Sequence, residues 1–175
     1  MALMFLGAAM LAEGDEQQAA DSYTGSLARF EIAGDALFAA NLQLNLGWFA
    51  WRKGEWRRTV SYIRTGIEAA IVSGNRRLLS FGAQMALALL SDIRSGDMPA
   101  DLAARARLLG AIDVLNQATG MTLMQTVVKE NMAALREQIQ RAGLESFYRE
   151  GRALSFQAIV ALALKQVEAI EQGPV

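Results

Sequence analysis

The chain has 175 residues, 53% hydrophobic and 20% charged, a balance that suits one packed domain and excludes an intrinsically disordered segment. A formal net charge of -1 supplies no overall basic field for nucleic acid, and the local group Arg52, Lys53, Arg57, Arg58 and Arg64 reads as a solvated helix face. Because the sequence holds no cysteine and no histidine, disulfides, thiolate metal sites, cysteine nucleophiles and imidazole acid–base catalysis are all excluded.

The first twelve residues, Met1 to Ala12, are almost wholly apolar. They lack a basic leader, and Glu13, Asp15 and Glu16 follow directly, so the stretch reads as a buried helix and not a secretory signal. A membrane span needs roughly 20 apolar residues, which neither this stretch nor any other provides, and a cytoplasmic location is expected. Gly14 ends this helix, and a second, polar-starting helix runs to Gly34. A shift of forty residues then superposes the landmarks: Leu6-Gly7 falls on Leu46-Gly47, Gly14 on Gly54, Leu27 on Ile67, and Gly34 on Gly74. The string from Ile32 to Asp35 likewise falls on Val72 to Asn75. Asp35 and Asn75 are placed to cap the helices that follow. Gly7 and Gly47 lie inside helices, where glycine costs about 1 kcal/mol against alanine. That cost is offset where two backbones approach closely, and the small Ala19 in the partner helix fits such a crossing.

A third, degenerate copy begins with an apolar helix over 76–94 and continues, after Pro99, with a helix from about Asp101 to Ala118 that stops at Gly120. A helix from about Leu123 to Arg141 follows, ended by Gly143, then a short turn of helix from Leu144 to Glu150 leading to Gly151. Ser155 caps the last helix, Phe156 to about Ile170, whose apolar residues run nearly all round and require it to be docked. No strand pattern appears. The prediction is a single all-α domain, a right-handed α-α superhelix of about eight helices stacked as antiparallel pairs. Its units are 1–35, 36–75, a degenerate 76–120, and C-terminal capping helices over 121–175.

Two sets of residues carry a resemblance. Leu3, Leu6-Gly7, Met10, Gly14, Ala19 and Tyr23 in the first unit, with Leu46-Gly47, Ala50, Gly54, Thr59 and Ile63 in the second, resemble tetratricopeptide repeats, here with a longer period and with Thr59 in place of the usual alanine. The strings Arg105 to Leu115 and Phe147 to Ser155 are similar to the C-terminal end of large bacterial ATP-dependent signalling proteins, including LuxR/MalT-type transcriptional regulators and cyclase- or kinase-fused ATPases. The resemblance covers nearly the whole chain, and the string Glu150 to Ser155 is its most specific part. Where the family places acidic residues after the closing serine, this chain has Phe156, Gln157 and Ala158. Nothing resembles the ATPase, cyclase or DNA-binding modules, and no GxxxxGK[ST] phosphate loop occurs. The resemblance therefore implies a C-terminal repeat segment of a larger protein, or a free-standing relative.

On that family pattern Asn41, Leu44, Asn45, Trp48, Trp51 and Arg52 face the concave groove or its edge. There the amides, indoles and guanidinium would grip an extended peptide or a small polar ligand. The alternative is that both tryptophans pack between repeats and the asparagines are merely solvated. Trp56 reads as covering a helix–helix corner. The carboxylates Glu13, Asp15 and Glu16, then Glu145 and Glu150, then Glu168 and Glu171, lie at turns and helix ends without an apolar surround to adapt them for acid work. Gly110 and Gly120 form no phosphate cradle, and Glu150 with Arg152 is expected to turn the chain so that the last helix docks.

The function expected is a non-catalytic protein-interaction or regulatory repeat domain, the sensor or scaffold arm of a transcriptional regulator or signalling ATPase. Its partner would be a protein, a peptide or another domain of a parent chain, with a homodimer through the N-terminal helix as a further option. No direct nucleic-acid partner, membrane, metal or cofactor is expected. The alternative is a small-molecule inducer domain that uses the Asn/Trp groove and a methionine-rich interior, Met85, Met121, Met124 and Met132.

Overall fold

The structure, a computed structural model, describes Met10 and residues 14–93, 99–121 and 126–172. The helix expected over the first twelve residues, and with it Gly7 and the dimer option, lies outside the described residues apart from Met10. Those described form eight helices and no strand: α1 Glu16–Ile32, α2 Ala36–Arg52, α3 Trp56–Ser73, α4 Arg76–Ile93, α5 Pro99–Thr119, α6 Thr126–Arg141, α7 Glu145–Arg152 and α8 Phe156–Glu171.

The unit underlying the forty-residue period is a helix and turn of half that length. Gly14, Gly34, Gly54 and Gly74 stand at equal intervals and take φ of 87°, 70°, 74° and 63°, the left-handed region that favours glycine. The next residue begins a helix. The amides of Gln18, Phe38 and Leu78 donate to the side chains of Asp15, Asp35 and Asn75 at 3.0, 3.2 and 3.0 Å, whereas Glu55 makes no such bond. Turns this short force successive helices to pack side by side and antiparallel.

Glycines inside helices mark the crossings. A Cβ on Gly47 would stand 3.3 Å from the Tyr62 Cβ, one on Gly66 2.6 Å from Leu44, and one on Gly82 2.8 Å from Ile67. These contacts join α2 to α3 and α3 to α4. Beside Gly47, the buried Thr59 hydroxyl lies 3.3 Å from the Gly47 carbonyl and 3.2 Å from that of Glu55, so a hydroxyl is accommodated where the repeat pattern calls for alanine. Between α4 and α5 a polar knot fixes the register: Ser80 Oγ donates to Asn116 Oδ1 at 2.6 Å, and Gln84 Nε2 donates to both at 2.8 and 3.0 Å.

The C-terminal third folds back. The short α7 docks on α5 by backbone contact. A Cβ on Gly110 would fall on the Tyr148 carbonyl, and one on Gly151 on the Arg107 carbonyl. Gly151 therefore does not end the short helix as its position in the sequence suggests. It is buried within α7, which continues to Arg152, and its missing side chain is what admits α5. After Ser155 caps it, with the Ala158 amide donating at 3.3 Å, α8 lies across α3, α4 and α5. Its buried stripe is Ile159, Val160, Ala163, Gln166, Val167 and Ile170. Arg64 of α3 clamps Glu171 through two bonds of 3.1 and 2.7 Å. The result places α4 at the centre, buried without a break from Gly82 to Leu90.

Candidate functional site

Asn41, Asn45, Trp48 and Arg52 share one face of α2, since their spacing follows the helical period. The structure supplies each of them with a partner inside the protein. Asn45 turns its amide back along its own helix, donating to the Asn41 carbonyl at 2.8 Å and to Asn41 Oδ1 at 3.4 Å. Trp48 is only 5% exposed and meets Trp51 edge to face, centroids 5.5 Å apart. The Arg52 guanidinium lies 5.9 Å from the Trp48 ring and pairs with Glu16 of α1 at 3.1 Å. Trp51 donates its indole N–H to Asp92 Oδ2 of α4 at 2.8 Å. Leu44 does not face a groove, being fully buried against Gly66. Trp48 is thus buried in the core and Trp51 is tied to α4, which favours the structural alternative for this face. Trp56 sits half-buried against the core at the start of α3, with the Arg57 guanidinium 5.1 Å from its ring.

The strings that carried the family resemblance face one another. Arg107 of α5 pairs with Glu150 of α7 at 2.8 Å and lies 4.3 Å from the Phe147 ring. Asp113 accepts from the Tyr148 hydroxyl at 2.5 Å and from Arg136 of α6 at 2.7 Å, and that hydrogen bond raises the Arg136 pKa above its ordinary value. Arg152 donates to Gln117 at 3.2 Å. The network joins α5, α6 and α7, so Glu150 and Arg152 hold the short α7 on α5, whereas the expectation placed their role in docking the last helix. Among the described residues no group of three acidic side chains is placed to hold a metal ion.

A different feature is open. Between α1 and α3, floored by α2, runs a trough of about 640 Å³ lined by Phe30, Leu37, Ala39, Ala40, Ala69 and Val72, among others. Glu31 and Glu68 stand on its walls, and the Gln43 Oε1 in its lining is shielded from water without a hydrogen-bond partner. At the same end of the helix pairs, Ile32 and Val72 are 89% and 91% exposed, with Leu37 and Ile71 partly so. Sequence reasoning passed over these residues. The available signal was the alignment of Ile32 with Val72, two aliphatic side chains at the same offset beside a polar turn.

The chain matches no protein-family model, no curated protein and no solved structure. Among the described residues no helix is long and apolar enough to cross a membrane.

Proposed function

We propose that this chain is a non-catalytic protein-interaction domain, the regulatory or scaffold arm of a bacterial signalling protein acting in the cytoplasm. The observation that carries the reading is the exposed aliphatic edge at the Gly34 and Gly74 turns, where Ile32 and Val72 repeat one another in position and exposure. Isolated exposed aliphatics are ordinary, but four that gather at one end of the helix pairs, beside an apolar trough, mark a surface that another molecule covers. Stacked helix pairs present such edges on a rigid frame. The resemblance to the C-terminal repeats of LuxR/MalT-type regulators and related ATPases agrees with this role.

A photo-crosslinking amino acid at Ile32, introduced in cells of the source organism, tests the reading. A discrete protein adduct is expected; the absence of any adduct, with the protein folded and present, removes it. Reading the genomic frame upstream of codon one separates an arm of a larger ATPase from a free-standing adaptor.

The inducer-domain reading keeps one supporting observation, because the trough volume falls within the range of small-molecule sites. Native mass spectrometry of gently purified protein discriminates, a reproducible small adduct favouring that alternative.

A further inference from the structure

Helix α8 shows what this framework does with a trough between alternate helices. Three successive helices, α3, α4 and α5, carry it, and they bury an aliphatic and alanine stripe at Ile159, Ala163, Val167 and Ile170. The helices α1, α2 and α3 form the corresponding set one repeat earlier, and there the trough stands open. Its floor is built for a close helix, because Ala39, Ala40 and Ala69 keep the side chains short while Phe30, Leu37 and Val72 raise apolar walls. The charge at the margin differs from that met by α8. Where α8 brings Glu171 to Arg64, the open trough offers Glu31 and Glu68.

Resting on the protein-interaction reading above, we infer that the α1–α2–α3 trough docks one amphipathic helix of a partner protein. That helix carries aliphatic or alanine side chains at i, i+4, i+8 and i+11, the spacing of the α8 stripe, and lysine or arginine on its flanks. The apolar stripe replaces the water now covering Leu37 and Val72. The basic flanks pair with Glu31 and Glu68. A helix with acidic flanks is rejected by the same two glutamates.

The probe is a fluorescein-labelled, end-capped peptide with the sequence of residues 155–172 bearing E168K and E171K, titrated with the full chain by fluorescence anisotropy at low salt. Saturable binding is expected, weakened about tenfold or more by L37E together with V72E, since each places a charge in the apolar contact. Both positions reach solvent, and circular dichroism verifies that the double variant remains folded. The unmodified peptide, with its glutamates, is expected to bind more weakly, and E31K together with E68K in the protein to invert the preference. No saturable binding of the basic peptide, or equal binding by the double variant, overturns the inference. A crosslink at Ile32 that persists in such a case would leave the protein-interaction reading standing and locate the contact outside the trough. A peptide that binds while Ile32 gives no adduct would do the reverse. Stoichiometric self-association of the chain, abolished by L37E and V72E, would show the occupant to be a second copy and would also overturn the inference as stated.

Discussion

At Gly151 the obstacle to a methyl group is steric, because its Cβ would land on the Arg107 carbonyl, a backbone atom that no rotamer change can move. Gly54 has open space around it, and its demand is conformational, a φ of 74°. Alanine at Gly151 is expected to cost about 3 kcal/mol or more by overpacking, and alanine at Gly54 about 1–2 kcal/mol through the left-handed backbone. Urea unfolding of the two variants measures the gap, and equal losses would refute a backbone-to-backbone contact between α5 and α7. Tyr23 offers a test of burial. It is 3% exposed beside Phe49, and desolvation holds its phenol above the ordinary value of 10.0. A raised folded-state pKa means that the unfolded chain loses its proton first. The Tyr23 contribution is therefore complete below about pH 10 and is lost as the pH rises through the folded value. Y23F should flatten this alkaline decline in stability, and an unchanged slope would show that Tyr23 reaches water.

Helix ends were legible in the sequence because glycine and a capping side chain fall together. Gly34 with Asp35 and Gly74 with Asn75 each set a boundary that the structure keeps. The pattern also exposes an omission. Glu55 occupies the capping position of α3 with φ of -81°, close to the -85° of Asp35, yet makes no cap bond because its side chain is one methylene too long. Replacing it with aspartate should stabilise the protein by about 0.5–1 kcal/mol. The exposed Arg58–Glu55 pair given up in exchange is worth little. Removing an existing cap with S155A should cost about 1 kcal/mol. Thermal melts of both variants check these signs, and a destabilised E55D would mean that the Arg58 contact outweighs a cap. Harder to read was which faces meet. The strings around Gly110 and Gly151 were distinctive, but periodicity marks an apolar face without naming its partner. The trough was not legible at all, because it arises from the separation of α1 and α3, and alanines such as Ala39 and Ala69 look the same in a floor and in a core. The Asn41 to Arg52 face was legible as a set, while Glu16 and Asp92, which engage its ends, come from other helices.

In a simple solenoid each repeat touches only its neighbours, and the ends can unfold independently. Here the last helix returns across α3, α4 and α5, so the second repeat and the C-terminus hold each other. The apolar stripe of α8 supplies most of that coupling. Ile159, 3% exposed, should cost about 2–5 kcal/mol when truncated to alanine. Removing Arg64, whose contact with Glu171 is partly wet, should cost no more than about 1 kcal/mol. All three tryptophans, Trp48, Trp51 and Trp56, lie in the second repeat, so their fluorescence reports there while far-ultraviolet circular dichroism reports on every helix. For the wild type the two urea transitions should coincide, as in a single cooperative unit. With I159A both midpoints should fall together, because loosening α8 uncovers the faces of α3 and α4 that it buries. A circular dichroism loss preceding the tryptophan signal in the wild type would instead mean that α7 and α8 melt as a separate cap. In that case the closure seen across α3 to α5 would add little to the stability of the second repeat.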